Sequence, residues 1–543
     1  MESTPTRIAE RPGSAVRPPP LIEQMFDEAV RRHSIGQAAE AEAVYRAILA
    51  LQPTHAAGSY NLGLICHMQG RADEAVAAYR HAIAVHAGYL DAYCNLGAAL
   101  QGAGRKEEAV AVFRQALAIN PDYAVGHLNL GVALKELGRP EEAEASFRRA
   151  IQIRPDYEMA YANLAGVLLD RDDPEAAIAA CQKAIAINPG EASAHGNLGL
   201  ANAALCRMPE AEAAFRRAIA LSPDFVEAHF TLAQSLLVQG RMEEGWAEYD
   251  WRWKLPAYSW RRGWLGDVRQ PQWAGEPLTG RRILVYAEQG QGDSIQYVRY
   301  LPAVARMAAR VTLAVHPPLK TLFQGIGGVN VISLDESHRL EFDVHCPLLT
   351  LPRLFGTRMD TIPCEIPYLR PSPIDIARWK ARLPAGRPRV AVVWAGSPTH
   401  TNDRRRSPRL ARMQRLFDVP GIEFISLQVG AGRDELATTR LPAHVRDLGA
   451  EVRDFADTAA ILDGVDLLVS ADTAPLHLAG AMGVPVWGMI PYHPHFAWLM
   501  HRSDSPWYPS LRLYRQEAPT AGWDGVLTRI EADLAALARE RAA

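Results

Sequence analysis

Asn61, Asn95, Asn129, Asn163, Asn197 and Thr231 stand 34 residues apart. Ala75, Ala109, Ala143, Ala177, Ala211 and Gly245 keep the same spacing, and so do Pro121, Pro155, Pro189 and Pro223. A fixed period of this length excludes one continuous globular core for the N-terminal half. Each unit is a supersecondary element too small to bury its own apolar face, so it must stack on its neighbours. The period stops near residue 260, and a chain of 543 residues has room for two to four domains.

A 34-residue period with small residues, a Leu-Gly pair and a closing Pro is the signature of the tetratricopeptide repeat. The units divide as 22–55, 56–89, 90–123, 124–157, 158–191, 192–225 and a degenerate 226–259. In 90–123, Tyr93, Leu96 and Gly97 fall on the first helix, and Ala109, Phe113 and Ala116 on the second. Gly97 and Ala109 are small where the helices approach, and Phe113 is expected to fill the gap to the next unit. Gly70, Gly104, Gly138 and Gly240 fall in the inter-helix turn, where a left-handed residue is needed. Trp246, Trp251, Trp253, Trp260 and Trp264 cluster where the repeat decays, and are expected to seal the end of the solenoid and join it to the next domain.

From Arg281 short apolar runs alternate with amphipathic segments: Ile283–Tyr286, Val311–Val315, Val329–Leu334, Val390–Trp394, Ile422–Leu427, Asp466–Ser470 and Val484–Met489. That pattern predicts βαβ units in parallel sheets. The Pro-rich stretch Pro363–Pro373 divides the strands into two series. The expected fold class is an N-terminal all-α solenoid followed by two doubly wound, Rossmann-like α/β domains. Its boundaries are a disordered tail (1–21), the superhelix (22–259), a linker (260–280), two α/β domains (281–372 and 373–516) and a C-terminal helix (517–543).

Three motifs follow predicted strands, where ligands of open α/β sheets bind. The first is Glu288-Gln289-Gly290-Gln291-Gly292-Asp293-Ser294. Gly290 and Gly292 let backbone approach a ligand. Asp293 is either the N-cap of a tight turn or a general base. The second is Asp472-Thr473-Ala474-Pro475-Leu476-His477, where Pro475 suits a first helical turn and the free amides favour an anion. His477, one turn in, is either a structural histidine or a ligand contact. The third is Trp394-Ala395-Gly396-Ser397-Pro398, then His400, Asn402, Asp403, Arg404, Arg405, Arg406 and Ser407. Its three arginines are either a solvated surface or a clamp for a leaving phosphate. Tyr492–Trp498 and Ser505–Pro509 add aromatics, with packing favoured for Trp507 and Tyr508.

The segment Gly292–Ile295, followed by Leu301-Pro302-Ala303, resembles the heptosyltransferases of lipopolysaccharide synthesis, and Asp472–Ala479 resembles their D-[ST]-[GA]-x-x-H-x-A nucleotide-sugar motif. The whole chain resembles bacterial proteins that join tetratricopeptide repeats to a family 9-type GT-B glycosyltransferase, a class implicated in protein glycosylation, including that of flagellin. The layout is similar to that of O-GlcNAc transferases. The resemblance implies a metal-independent enzyme without cofactor that moves a sugar from a nucleotide sugar to a protein hydroxyl. Asp293 would be the base. Gly290, Gly292, Ser397, Arg404, Arg405, Arg406, Asp472, Thr473, Ala474 and His477 would hold the donor. The Asn61, Asn95, Asn129, Asn163 and Asn197 ladder would grip an acceptor protein or peptide; the other reading of that column is local hydrogen bonding. Two further function classes stay open: an interaction scaffold with an inactive α/β half, and a transferase acting on a lipid-linked glycan or lipopolysaccharide.

A formal charge of −3 argues against a nucleic-acid partner. The six cysteines make no C-x-x-C pair, and no D-x-D occurs in the second half, so neither a metal nor a redox motif is expected. No apolar run reaches membrane-spanning length, and residues 1–20 lack the core of a signal peptide. The cytoplasm is the expected compartment.

Overall fold

A computed structural model describes residues 20–256, 269–336, 340–385, 388–398, 402–519 and 521–542. The tail 1–19, Trp260, Trp264 and His400 lie outside the described residues. The chain divides into two compact units: residues 1–202 with 220–223, and 203–219 with 224–543.

Among the described residues, fourteen α-helices precede the first strand, and they alternate as the period requires. They are α1 (Pro20–Ser34), α2 (Ala38–Leu51), α3 (Ala56–Met68), α4 (Ala72–Val85), α5 (Leu90–Gly102), α6 (Lys106–Ile119) and α7 (Ala124–Glu136). Then come α8 (Pro140–Ile153), α9 (Glu158–Asp170), α10 (Pro174–Ile187), α11 (Ala192–Ala204), α12 (Met208–Leu221), α13 (Val226–Val238) and α14 (Met242–Tyr249). The first helix starts at Pro20, inside the expected tail. The seventh pair is shortened rather than absent: α14 ends at Tyr249 and a 3₁₀ turn, Asp250–Lys254, comes next.

The small residues of the repeat do the work expected of them. A Cβ on Gly97 would lie 2.3 Å from the Phe113 ring, and one on Gly131 would lie 2.5 Å from Phe147. Phe113 therefore packs over Gly97 of its own unit, where the sequence suggested the next one. Gly36, Gly70, Gly104, Gly138 and Gly240 all turn through positive φ. The same position of the period is held by Asp172 (φ 67°) and Cys206 (φ 56°), so two units adopt the left-handed turn without glycine. Ion pairs also follow the period: Arg46–Glu74 at 2.7 Å, Arg80–Glu108 at 3.0 Å and Arg114–Glu142 at 2.9 Å.

The second unit contains two parallel sheets. The first comprises β1 (Arg282–Tyr286), β2 (Arg310–Val315), β3 (Val329–Ser333) and β4 (Val344–Pro347), in the order β3-β2-β1-β4. The second comprises β5 (Arg389–Val393), β6 (Glu423–Ser426), β7 (Arg446–Asp447), β8 (Leu467–Ala471), β9 (Val486–Ile490) and β10 (Leu511–Arg515), in the order β10-β9-β8-β5-β6-β7. Strand β1 pairs with both β2 and β4, and β5 with both β6 and β8. Each sheet thus reverses its strand order beside its first strand, which is where such sheets open a crevice.

The second sheet is covered on both faces. Val390, Val392 and Trp394 point to a core shared with Val526, Leu527, Ile530 and Leu534 of the C-terminal helix Asp524–Ala542. Ala391 and Val393 point to the opposite core, with Leu476 and Leu478. On the first sheet, Ile283, Val285 and Leu313 face Leu301, Val304 and Phe323 of neighbouring helices. Its other face, with Leu284, Tyr286 and Ala314, is closed by Phe342, Leu334 and Leu340, none of which lies in a helix. Helices on both faces are therefore found for the second sheet and not, among the described residues, for the first.

The segment expected as a linker is partly structural. Trp273 and Leu278 are buried, and the Trp273 N–H donates to His345 O at 2.8 Å, extending the edge beside β4. At the end of the last helical pair, Trp246 makes edge contacts with Tyr297 at 6.0 Å and Phe496 at 5.8 Å. Arg252, with no exposed surface, donates to Glu288 Oε1 at 2.7 Å. The last helical turn is thereby tied to the carboxyl end of β1.

Candidate functional site

Three strand ends converge in the second unit. After β1, Gly290 caps the helix Gln291–Tyr297, and its N–H donates to Asp293 Oδ2 at 3.0 Å. Asp293 is therefore the third helical residue reaching back to the cap, not the cap itself. After β8, Thr473 precedes the helix Ala474–Met482 with Pro475 in its first turn. The Thr473 hydroxyl donates to Ala471 O at 3.2 Å and makes no cap bond, which leaves the first amides of this helix without a side-chain cap. The two helix starts meet at Gly292. A Cβ there would lie 2.9 Å from His477 Cδ2, 3.3 Å from its Nε2 and 3.6 Å from Ala474 Cα. Glycine at 292 is what permits this approach.

The third strand end, after β5, folds back on itself. Gln428 Oε1 accepts from the N–H groups of Trp394 and Ala395, at 3.0 and 2.9 Å. The Gly396 N–H donates to Ser407 Oγ at 3.1 Å, and Ser407 Oγ donates to buried Asp403 at 2.7 Å. This brings Arg406 over Gly396, where a Cβ would lie 2.7 Å from the guanidinium Nη2. The Arg406 Nε is buried with no hydrogen-bond partner among the described residues, and stands 3.8 Å from Asp403 Oδ1. An orphaned charged donor of this kind costs about 1–3 kcal/mol or more unless an acceptor arrives. Arg404, Arg405 and Ser397 are exposed. Of the three arginines, Arg406 is the one turned to the cluster.

The electrostatics agree with the geometry. Burial pushes the Asp293 carboxyl up to about 6; the neighbouring charge of Asp472 adds to this, while the Gly290 N–H and Arg406 oppose it. Asp293 nevertheless keeps part of its surface open to solvent. A crowded, half-buried carboxylate of raised pKa is placed as a proton acceptor would be. Burial also raises Asp472, against the pull of Arg406 and the hydrogen bond from Trp498 Nε1, which is 2.7 Å long. Burial holds His477 well below the usual histidine range, helped by His495, Arg299 and Arg406. Arg406 thus acts on Asp293, Asp472 and His477 together. An anion beside Arg406 and the Ala474 helix start would meet a positive charge and the Ala474 N–H, with a carboxylate close by; Pro475 has no N–H and the Leu476 N–H donates to Thr473 O at 3.0 Å.

The site residues read from the sequence separate into two groups. Gly290, Gly292, Asp293, Asp472, Thr473, Ala474, His477 and Arg406 come together; Ser397, Arg404 and Arg405 stay at the loop surface. Four partners were not legible as such: Trp498 on Asp472, Tyr508 on His477, Arg299 behind Tyr508, and Arg252 on Glu288. Trp507 and Tyr508 are fully buried, as their reading as packing residues expects.

All five asparagines of the column are hydrogen-bonded inside the array, within a helix or to the preceding unit. Asn61 is fully buried and donates to Tyr45 Oη at 3.2 Å; Asn95 donates to Tyr60 Oη at 2.7 Å. Asn163 donates to Met159 O at 2.8 Å, and Asn197 to Ala162 O at 2.9 Å. Asn129 acts on the Cys94 thiol through a hydrogen bond. The fully buried Asn61 offers no open amide to a peptide, because the core beside Tyr45 takes it up. Asn95, Asn129, Asn163 and Asn197 keep partial exposure. Among the described residues, the group spaced to ligate a metal is Glu42, Cys66 and Glu74, and Arg46 and Arg71 already hold its carboxylates. No described helix is long and apolar enough to cross a membrane.

Comparison with known proteins bears on the helical part. A tetratricopeptide-repeat model matches residues 66–122, 100–167 and 134–201, and a second model of the same description matches 26–89 and 198–250. Protein FlbA of Caulobacter vibrioides is 26% identical over 329 residues, which is 55% of this chain and 53% of FlbA. The chain thus spans about half the length of this curated relative. A tetratricopeptide-repeat protein from Parabacteroides merdae is 18% identical, with a TM-score of 0.38, over 42% of this chain and 91% of that one. YrrB, described as having an unusual peptide-binding site, is 20% identical, with a TM-score of 0.29, over 34% of this chain and 96% of its own. Residues 26–250 are a tetratricopeptide-repeat array, and an α/β region built on parallel sheets lies C-terminal to it.

Proposed function

We propose that the α/β region is a GT-B-type glycosyltransferase that takes a nucleotide sugar, and that the repeats hold its protein acceptor. The observation that carries this reading is the meeting of Asp293, Arg406 and the Thr473–His477 turn at the ends of β1, β5 and β8. In the reaction, the acceptor hydroxyl oxygen bonds to the sugar's anomeric carbon. Its proton passes to the Asp293 carboxylate. The bond between the anomeric carbon and the phosphate oxygen breaks, and its electron pair leaves with the nucleoside diphosphate. Arg406 and the Ala474 N–H at the start of the Ala474–Met482 helix stabilise that anion, which is where charge develops. Flagellin is one acceptor consistent with the resemblance of the sequence.

A panel of nucleotide sugars tested for thermal stabilisation of the full chain identifies the donor. A donor at a hundred times its Kd adds about 2.7 kcal/mol of stability. Residues 22–191 can then be deleted, which leaves the second unit intact. Protein glycosylation is expected to disappear while donor hydrolysis persists; equal loss of both contradicts the acceptor role. The second reading, favoured by the repeat array itself, is an interaction scaffold whose α/β region performs no chemistry. A partner captured by the repeats, with no nucleotide sugar bound by the full chain, supports that alternative.

A further inference from the structure

Glu288, Gln289 and Gly290 lead from β1 into the helix that carries Asp293, and hydrogen bonds hold each of them. The Glu288 carboxylate, whose side chain has no exposed surface, accepts from Arg252 Nη2 at 2.7 Å and from Arg252 Nε at 3.1 Å. The Gln289 amide meets the Tyr249 hydroxyl, with Nε2 donating at 2.8 Å. The Gln289 carbonyl accepts from His316 Nε2 at 2.6 Å. The Gly290 N–H then reaches Asp293 Oδ2.

Tyr249 ends α14, and Arg252 lies in the 3₁₀ turn that follows it. Both fall in the same compact unit as the two sheets. Arg252 is aimed by its surroundings: Nη1 donates to Tyr249 O at 3.0 Å and to Asp250 Oδ1 at 2.9 Å, and Nη2 also donates to Thr350 Oγ1 at 2.9 Å. Arg353 in turn holds Asp250, at 2.7 Å. Adhesion does not require this arrangement. Trp246 already makes apolar contact with Tyr297 and Phe496, and a buried ion pair is often no more stabilising than apolar residues of similar size. Hydrogen bonds add direction. They fix residues 288 and 289, and the next N–H along the chain is the one on Asp293.

We propose that Tyr249 and Arg252 are positioning residues for Asp293: from the end of the seventh helical pair they brace the Glu288–Gly290 turn and keep the Gly290 N–H on the carboxylate. The use of that carboxylate as a base rests on the glycosyl-transfer reading; the brace rests on the hydrogen bonds alone. Tyr249 and Arg252 are buried and act through residues 288–290. With the brace loosened, the charged form of Asp293 loses one of the two backbone N–H groups that favour it. The carboxyl then titrates higher, and its aim at the acceptor hydroxyl widens.

The test is carboxyl-carbon NMR on the full chain carrying isotopically labelled aspartate, with Asp293 assigned through Asp293→Asn, beside the rate of nucleoside diphosphate release. Tyr249→Phe keeps the buried ring and removes the hydroxyl. Arg252→Met combined with Glu288→Met keeps the packing and removes the ion pair. Each is expected to raise the Asp293 midpoint by about half a pH unit or more, and to slow release about tenfold with donor affinity within about twofold of the wild type. Gln289→Leu breaks the Tyr249 bond from its half-buried side and should match Tyr249→Phe; combining the two should add less than about twofold. Gln289→Leu also stands in for Tyr249→Phe should that variant not fold. An unmoved midpoint in either folded variant overturns the proposal, as does slowing that comes wholly from weaker donor binding. If the midpoints move as stated but the wild type binds no nucleotide sugar, the brace stands and the glycosyl-transfer reading falls.

Discussion

Carboxylates in the repeat array and at the strand ends are treated in opposite ways. In the array, Glu74 and Glu108 are held below their ordinary range by hydrogen bonds from Arg46 and Arg105, and each sits at the surface. At the strand ends, Asp293 and Asp472 are pushed up by burial, and the one cation acting on both, Arg406, has an orphaned Nε. The array keeps its charges solvated, paired and repeated. The strand ends hold theirs where they are costly, which a fold tolerates when a ligand or a proton transfer makes use of them. The same contrast holds for cations: Arg80 and Arg114 pair on the surface, whereas Arg252 is entirely buried against Glu288.

The largest expected stability effect tests that contrast directly. Glu288→Ala leaves Arg252 buried beside a lost partner and should cost about 3–5 kcal/mol in urea unfolding. Arg80→Ala, which removes a surface pair, should cost less than about 1 kcal/mol. Equal losses would erase the distinction drawn between the two regions.

Next in size is the dependence of stability on pH. The Asp293 carboxyl titrates near 3.8 when unfolded and at about 6 when folded, so the folded chain holds its proton more tightly. Stability from this group is full below the lower value and falls as pH rises through the higher one. Asp293→Asn is therefore expected to be more stable than the wild type by up to about 2 kcal/mol near pH 7.5, with the gain vanishing near pH 4. Thermal melts across that range measure it; a variant less stable than the wild type at both ends would contradict the burial argument.

The smallest effect lies in the array. Cys206 occupies a turn position with φ 56° where five units carry glycine, so Cys206→Gly should raise stability by about 1 kcal/mol. Asp172→Gly should gain less, because aspartate tolerates the left-handed region better. A loss at both sites would mean that side-chain contacts, not backbone conformation, fix these turns.

The array was legible because its information is repeated: the small residues, turn glycines and prolines each recur at one spacing. Seven strands were legible as apolar runs before Gly, Pro or charged clusters. Three were not. β4 reads Val-His-Cys-Pro, β7 has two residues, and β10 alternates arginine with apolar residues. The three strand-end motifs could be found because each lies beside its own strand. Their supports could not, since Trp498, Tyr508, Arg299 and Arg252 reach Asp472, His477, Tyr508 and Glu288 only through tertiary folding. Nothing local to Arg404–Arg406 distinguished one arginine from another; the turn held by Asp403 and Ser407 selects Arg406. The asparagine column shows the reverse case, a conspicuous repeat whose amides are spent largely inside the array.

The most direct test is the pH profile of nucleoside diphosphate release from a bound nucleotide sugar, compared between the wild type and Asp293→Asn. The expected rate rises through about pH 6 in the wild type and falls by about a hundredfold or more in the variant, which still binds the donor. Turnover at the wild-type rate in Asp293→Asn, or a full chain that binds no nucleotide sugar, would contradict it.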